Sequence, residues 1–296
     1  MNWQQRPLCF TVKDQEMSNR PMKAHLPRPP LPALLTSAFR PLPDFLILGT
    51  QKAGTTSLFA SLGEHPSLWI PTCKECHYFD QPWKPSWVYR SFFLLRSRRE
   101  RLERQLGHPI QLGEATPYYL YHPRAPQRAF DLIPNAKLVV ILRDPVQRAY
   151  SHYAHSQRRR YEPLSFEEAL EQEEARTQGE EERLARSPFA RSDPHQRYTY
   201  FARGLYAQQL KRWMALFPQS QFHVEFSEDL FVEPERAVNR IETFLGVPCR
   251  TGLTFPKANA GGKRNKMSEA TAASLRARYA EANAELESLL GRSLPW

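Results

Sequence analysis

Three groups of residues in this 296-residue chain have the types and spacing to hold an anion and move a proton. The first lies in PDFLILGTQKAGTTSLFASL, residues 43–62. Gly49, Gln51, Lys52, Ala53 and Gly54 lead into three hydroxyl residues, Thr55, Thr56 and Ser57. A strand, a glycine loop and a helix start in this order form a phosphate cradle, because loop N–H groups and the positive helix end converge on one anion. The plain alternative is an ordinary strand–turn–helix with glycine at the bend. The second group is Glu75 and His77. Two residues apart on extended chain, they point the same way and could supply a general base, or be two surface residues at a strand end. The third is Arg143-Asp144-Pro145, with Ser151 eight residues beyond Arg143. An arginine fork bonds phosphate oxygens bidentately. Asp144 could instead be a metal ligand, although the flanking arginine argues against it.

The elements that must carry these groups are legible from periodicity. Phe45 to Leu48 is a short apolar run, and Leu58, Phe59 and Leu62 recur at helical spacing after the loop. His65-Pro66 should stop that helix, and Ser67 to Ile70 reads as a second strand. KLVVIL, residues 137–142, is the clearest buried strand, continuous and β-branched as in a parallel sheet. A helix should start at Pro145, which puts Arg143 at the carboxyl end of a strand, where open α/β sheets bind ligands. Tyr206, Leu210, Trp213 and Phe217 mark an amphipathic helix, Phe222 to Phe226 a strand, and Ala237 to Leu245 a helix closed by Gly246. Ser268 caps a last helix. The aromatic run from Trp83 to Phe93 is expected to be mostly core.

Two stretches stand apart. Residues 1–42 carry Pro7, Pro21, Pro27, Pro29, Pro30, Pro32 and Pro41 with no sustained period; they read as an extended arm from which Leu31, Leu34, Leu35 and Phe39 could dock on the domain of residues 43–296. Nine glutamates fall between 162 and 182. After a capping box at Ser165, residues 162–195 are expected to be an exposed, mobile acidic insertion.

The chain has 41 Lys and Arg against 31 Asp and Glu, a formal charge of +10. That suits an anionic partner, or serves solubility alone. No apolar run nears the roughly 18–20 residues needed to span a bilayer, and the N-terminus lacks a signal-peptide core. The expectation is a soluble, cytoplasmic protein. Cys73 and Cys76 make one C-x-x-C. A structural zinc needs a second pair or histidines at ligand spacing, which Cys9 and Cys249 do not offer, so reduced thiols are expected.

The loop departs from the nucleoside-triphosphatase pattern G-x-x-x-x-G-K-[ST]: Thr55 stands where the lysine belongs, and the lysine is at 52. K-A-G-T-T-S, residues 52–57, resembles the loop of sulfotransferases that use phosphoadenylyl sulfate (PAPS), and R-D-P-x-x-R-x-x-S, residues 143–151, resembles their second nucleotide signature. K-E-C-H-Y-F, residues 74–79, is similar to a stretch of the glycosaminoglycan-type members, whose glutamate is assigned as catalytic base. E-A-T-P-Y-Y, residues 114–119, and the order R-G-x-Y, helix, F-P, strand, E-D-L, helix, F-L-G are also similar to that family. The resemblance spans residues 43–296 and is closest to heparan sulfate N- or 3-O-sulfotransferase domains.

The resemblance implies a P-loop NTPase-like three-layer α/β sandwich with a central, mainly parallel sheet flanked by helices. It implies sulfuryl transfer from PAPS to a hydroxyl or amine of a carbohydrate-type acceptor, leaving 3′-phosphoadenosine 5′-phosphate (PAP), without a metal. Glu75 would be the base, with His77 the alternative, and Lys52 would stabilise the leaving phosphate. Gln51, Lys52, Ala53, Gly54, Thr55, Thr56 and Ser57 would cradle the donor; Arg143 and Ser151 would hold its 3′-phosphate. Phe255 would lie near the adenine, and Gly262, Lys263, Arg264 and Asn265 would fold over the phosphate. Lys74, Glu114, Thr116 and Tyr118 would face the acceptor, an acidic polysaccharide being one candidate and nucleic acid not expected. A P-loop kinase and a non-catalytic glycan- or nucleic-acid-binding module are the other classes.

Overall fold

A computed structural model of the chain describes residues 29–71, 74–82, 84–256 and 267–296. Five strands form one sheet: β1 (Phe45–Gly49), β2 (Leu68–Trp69), β3 (Gln111–Ala115), β4 (Lys137–Leu142) and β5 (Phe222–Phe226). Their order is β2-β3-β1-β4-β5, and every pairing is parallel. Parallel neighbours need crossovers, and helices supply them on both faces. The first half holds α1 (Leu31–Leu35), α2 (Thr55–Gly63), α3 (Ser86–Arg90), α4 (Arg96–Leu106), α5 (Ala125–Leu132) and α6 (Pro145–Arg158). The short helices α7 (Phe166–Glu171), α8 (Glu173–Thr177), α9 (Glu180–Arg186) and α10 (Asp193–Arg197) follow. Then come α11 (Tyr206–Met214), α12 (Ser227–Val232), α13 (Pro234–Leu245) and α14 (Glu269–Leu290). This is the P-loop NTPase-like three-layer sandwich. No described helix is long and apolar enough to cross a membrane.

The central strands are apolar throughout because both faces are covered. Leu46, Leu48, Leu138, Val140 and Leu142 enter one core with Tyr206, Leu210 and Trp213 of α11. Phe45, Ile47, Val139 and Ile141 enter the opposite core with Leu58 and Leu62 of α2 and Val238 and Ile241 of α13. Each such side chain contributes roughly 1.5–3 kcal/mol when fully buried. The cores therefore hold β1 and β4 rigidly side by side, and both carry the site at their carboxyl ends.

Two expectations change. Of the arm, only residues 29–42 are described; there Leu31, Leu35 and Phe39 are 69%, 78% and 68% exposed, Leu34 is half-buried, and Ala33 and Ser37 are buried. Its anchor is polar, with Arg40 donating to the Phe93 carbonyl and Arg90 to the Arg40 carbonyl at 2.9 Å. The acidic segment is not simply exposed. Glu162 and Glu173 are buried, as are Phe166, Ala169 and Leu184. Arg176 and the Tyr200 hydroxyl donate to Glu162 at 2.7 and 2.9 Å. The Phe201 and Ala202 amides donate to Glu173 at 2.6 and 2.8 Å. Composition sees the charge count; these carboxylates are satisfied by partners up to 38 residues away.

Candidate active site

The loop forms where β1 runs out. The register of β1 against β4 shifts between Ile47 and Gly49, and the Thr50 amide bonds the Ile141 carbonyl at 2.7 Å. Gly49 and Gly54 have φ of 146° and 96°, a region that side chains disfavour. A Cβ on Gly49 would come within 2.7 Å of the Pro117 carbonyl oxygen, and one on Gly54 within 2.9 Å of the Phe231 ring. Lys52, not a glycine, also lies in the left-handed region, with φ 76°. Its carbonyl is held by Arg143 Nη1 at 3.0 Å. Arg143 thus ties the end of β4 to the loop, and its own carbonyl accepts from the Tyr206 hydroxyl at 2.8 Å. Asp144 caps α6 by accepting from the Val146 amide at 2.9 Å.

Lys74 joins the loop from across the cleft. Its Nζ donates to Thr56 Oγ1 at 2.8 Å and lies 3.4 Å from Thr55 Oγ1. Burial lowers its pKa, partly offset by the Glu75 charge. Lys74, expected to face the acceptor, therefore reaches the hydroxyls of the glycine loop. Ser151 is 2% exposed on α6, and its Oγ has no partner among the described residues. A buried hydroxyl left open beside two phosphate-type signatures fits a donor with a second phosphate, since such groups are rarely left unpaired.

Beside the loop, Glu75, His77 and Asp80 form a chain of charges. His77 Nε2 is 3.0 Å from Glu75 Oε2, and its Nδ1 is 2.6 Å from Asp80 Oδ2. Burial alone would push the imidazole down; the Asp80 charge and hydrogen bond, with those of Glu75, outweigh it and hold His77 well above its ordinary value. Burial would likewise raise Glu75, but the hydrogen bond and charge of His77 and the charge of Lys74 leave it below the usual carboxylate value. Asp80 is lowered for the same reason, burial being outweighed by His77. At neutral pH the arrangement is carboxylate, imidazolium, carboxylate. A doubly protonated His77 cannot accept a proton, whereas Glu75 can, and about one third of its side chain is exposed.

Glu114 and Thr116 lie beneath this chain rather than on its surface, at 1% and 0% exposure. Glu114 accepts from the Tyr89 and Tyr119 hydroxyls at 2.8 and 2.9 Å and from Thr116 Oγ1 at 2.9 Å. Thr116 in turn accepts from the His77 amide at 3.3 Å, and the Tyr119 hydroxyl from the Tyr78 amide at 2.7 Å. Burial raises Glu114 despite these bonds. The network sets the backbone of residues 77 and 78. Glu114→Ala would leave two buried tyrosine hydroxyls without their acceptor, at about 1–3 kcal/mol each. Denaturant unfolding should show a loss of about 2–6 kcal/mol; a loss below about 0.5 kcal/mol would mean that water replaces the carboxylate. Tyr118 is also buried, its hydroxyl 2.7 Å from His195 Nδ1.

Phe255 packs edge-on to Phe231 with ring centroids 5.7 Å apart, and Phe231 adjoins Gly54. An aromatic corner therefore stands beside the loop, half of it supplied by Phe231, which the sequence reading did not select. Gly262, Lys263, Arg264 and Asn265 lie outside the described residues, as do Trp83, Cys9 and Cys73. Cys76 is buried and Cys249 exposed, and among the described residues neither is in a disulfide. Three more residues belong to the site. Asp80 was detectable as a carboxylate three residues after His77. His155 lies one turn beyond Ser151 on α6, the i, i+4 spacing that shares a face. Burial, then the charges of Lys52, Arg159 and Arg158, push it down to about 4, against the pull of Glu75, so it is neutral. The third is Arg203, whose Nη1 donates to Gln51 Oε1 of the loop at 2.6 Å.

The sulfotransferase domain profile matches residues 42–254. The membrane-associated sulfotransferase kil1 of Dictyostelium discoideum is 28% identical, over 86% of this chain and 66% of its own length. A bifunctional heparan sulfate N-deacetylase/N-sulfotransferase of Drosophila melanogaster is 31% identical, over 70% of this chain and 20% of its own. The chain thus spans less than two thirds of either relative. The crystal structure of a sulfotransferase from Alicyclobacillus acidocaldarius gives a TM-score of 0.63 at 31% identity, covering 86% of this chain and 98% of that one.

Proposed function

Because the chain belongs to the sulfotransferase family, we propose that it transfers the sulfuryl group of PAPS to a hydroxyl or amine of a carbohydrate-type acceptor. The observation that carries this reading is that Lys74 and Arg143 both reach the loop that carries Lys52, with the Glu75 carboxylate next to Lys74 and within reach of its charge. The donor supplies an activated sulfuryl group whose leaving oxygen belongs to a phosphate. Lys52, Lys74 and the hydroxyls of Thr55 and Thr56 place positive charge and donors where that oxygen gains charge. Glu75 takes the acceptor's proton, and His77, protonated and anchored on Asp80, holds the carboxylate in place. Arg143 and the open Ser151 hydroxyl hold the 3′-phosphate. Phe231 and Phe255 provide the aromatic surface for the base.

Heparan sulfate appears in the name of the Drosophila relative. An acidic polysaccharide also suits this chain's own surface, since Arg158, Arg159 and Arg160 are exposed at the end of α6, a turn beyond His155. The test is a screen of acceptors, neutral and acidic glycans included, with radiolabelled PAPS and with Lys52→Ala as the blank. Label should pass to a carbohydrate only with the wild type. Calorimetry should show binding of PAP in preference to ADP. Preference for ADP, together with magnesium-dependent ATP hydrolysis, would replace this reading with phosphoryl transfer.

A further inference from the structure

Arg203 is 2% exposed and lies at the meeting point of three parts of the fold. Its Nη1 donates to Gln51 Oε1 of the phosphate loop at 2.6 Å, across 152 residues of sequence. Its Nε donates to Thr199 Oγ1 at 2.9 Å, and its Nη2 to the carbonyls of His195 and Gln196 at 3.2 and 2.5 Å. The guanidinium also lies against the rings of Tyr118 and Tyr121, 4.8 and 5.2 Å from their centroids. All four acceptors are neutral. Taking a cation out of water without a carboxylate in contact is expensive. Burial accordingly pulls Arg203 down to about 10, partly offset by Tyr118 and Tyr121, and it stays charged at neutral pH.

A residue that only filled space here would not need five N–H groups in a rigid fork. The turn that presents Arg203 is itself pinned, because Glu173 of α8 accepts from the Phe201 and Ala202 amides. The Gln51 carboxamide is consequently held on the protein side of the loop, one residue before the left-handed Lys52. Tyr118 and Tyr121 follow directly from Thr116, the contact beneath His77.

We propose that Arg203 is a positioning residue of the donor site: by gripping Gln51 it locks the loop to the wall formed by Tyr118, Tyr121 and α10, so that the donor cradle and the acceptor side are set as one piece. The inference rests on the donor reading given above, and it assigns a purpose to the acidic segment, whose Glu173 aims the clamp.

The experiment is titration calorimetry of the full chain with PAP, for wild type, Arg203→Lys, Gln51→Leu and the double variant. Each single change should weaken binding about tenfold, the size expected for one charge-assisted hydrogen bond. The double variant should be weakened by about the same tenfold, because both changes cut one contact. A hundredfold, additive loss would overturn the proposal, as would single variants that bind as wild type does. A purely structural role would lower the melting temperature and the active fraction while leaving the dissociation constant unchanged. If Arg203→Lys does not fold, Arg203→Gln takes its place in the cycle, and the same non-additivity with Gln51→Leu decides, since Gln51 is itself a candidate cradle residue. Wild type that does not bind PAP would sink the donor reading itself, a result separate from either outcome above.

Discussion

Replacing Lys52 with alanine is expected to lower turnover by roughly 10²-fold or more at saturating donor, the size seen when a group aimed at developing charge is removed. The expectation follows from how the backbone presents this residue. Lys52 occupies the left-handed region at φ 76°, uncommon for a residue with a Cβ, and such conformations persist only where the surroundings over-determine them. Here the surroundings are identifiable: Arg143 holds the Lys52 carbonyl at 3.0 Å, and the Thr50 amide is fixed to β4 at 2.7 Å. The backbone that carries the ammonium is thereby pre-set. Lys52→Arg keeps the charge but spreads it over a planar fork, and should retain more activity than alanine while staying below wild type. The measurement is single-turnover sulfuryl transfer with both variants, after their thermal melts show intact folding. Alanine within tenfold of wild type would shift the stabilising role to Lys74, which already donates to Thr56 at 2.8 Å.

Much of this frame was legible from local pattern. β1 and β4 announce themselves as apolar runs because both of their faces are covered, and the glycines of the loop mark φ values that side chains avoid. Arg143 could be placed because a strand end is a position in sequence as well as in space. The rest depended on partners remote in sequence. Nothing near Glu114 indicates that Tyr89 will donate to it, so a buried scaffold read as a candidate acceptor contact. Lys74 follows the second strand but points back to the start of α2, a contact that no local pattern indicates. Glu162 and Glu173 look solvated by composition and are buried because Arg176, Tyr200 and two backbone amides reach them. Arg203 opens the R-G-x-Y stretch, residues 203–206, yet its contact with Gln51, 152 residues away, is visible only in the fold.

Glu75→Gln should also reduce turnover by roughly 10²-fold, and the pH dependence of the wild type tells why. His77 is raised in the folded protein. Its contribution to stability is therefore complete below about pH 6.5, the ordinary histidine value, and is lost as the pH rises through the higher folded value. Glu75 and Asp80 are depressed. Their contributions are present above about pH 4 and are lost as the pH falls through their lower folded values. The carboxylate–imidazolium–carboxylate chain is thus intact from about pH 4 to beyond about pH 6.5, and His77 has no proton-accepting nitrogen anywhere in that window. If Glu75 is the base, kcat should stay level across pH 6.5 and fall only where Glu75 takes up a proton, below about pH 4.3. If a neutral His77 were the base, kcat would climb as the imidazolium loses its proton, well above pH 6.5. Glutamine at 75 separates the two a second time. It cannot accept the acceptor's proton, and it removes one of the two negative charges that keep His77 protonated, which lowers the imidazole pKa. A glutamine variant that keeps more than a fifth of wild-type turnover, with a rising limb moved down toward pH 6.5, would transfer the base to His77; a variant about 10²-fold slower at every pH keeps it on Glu75.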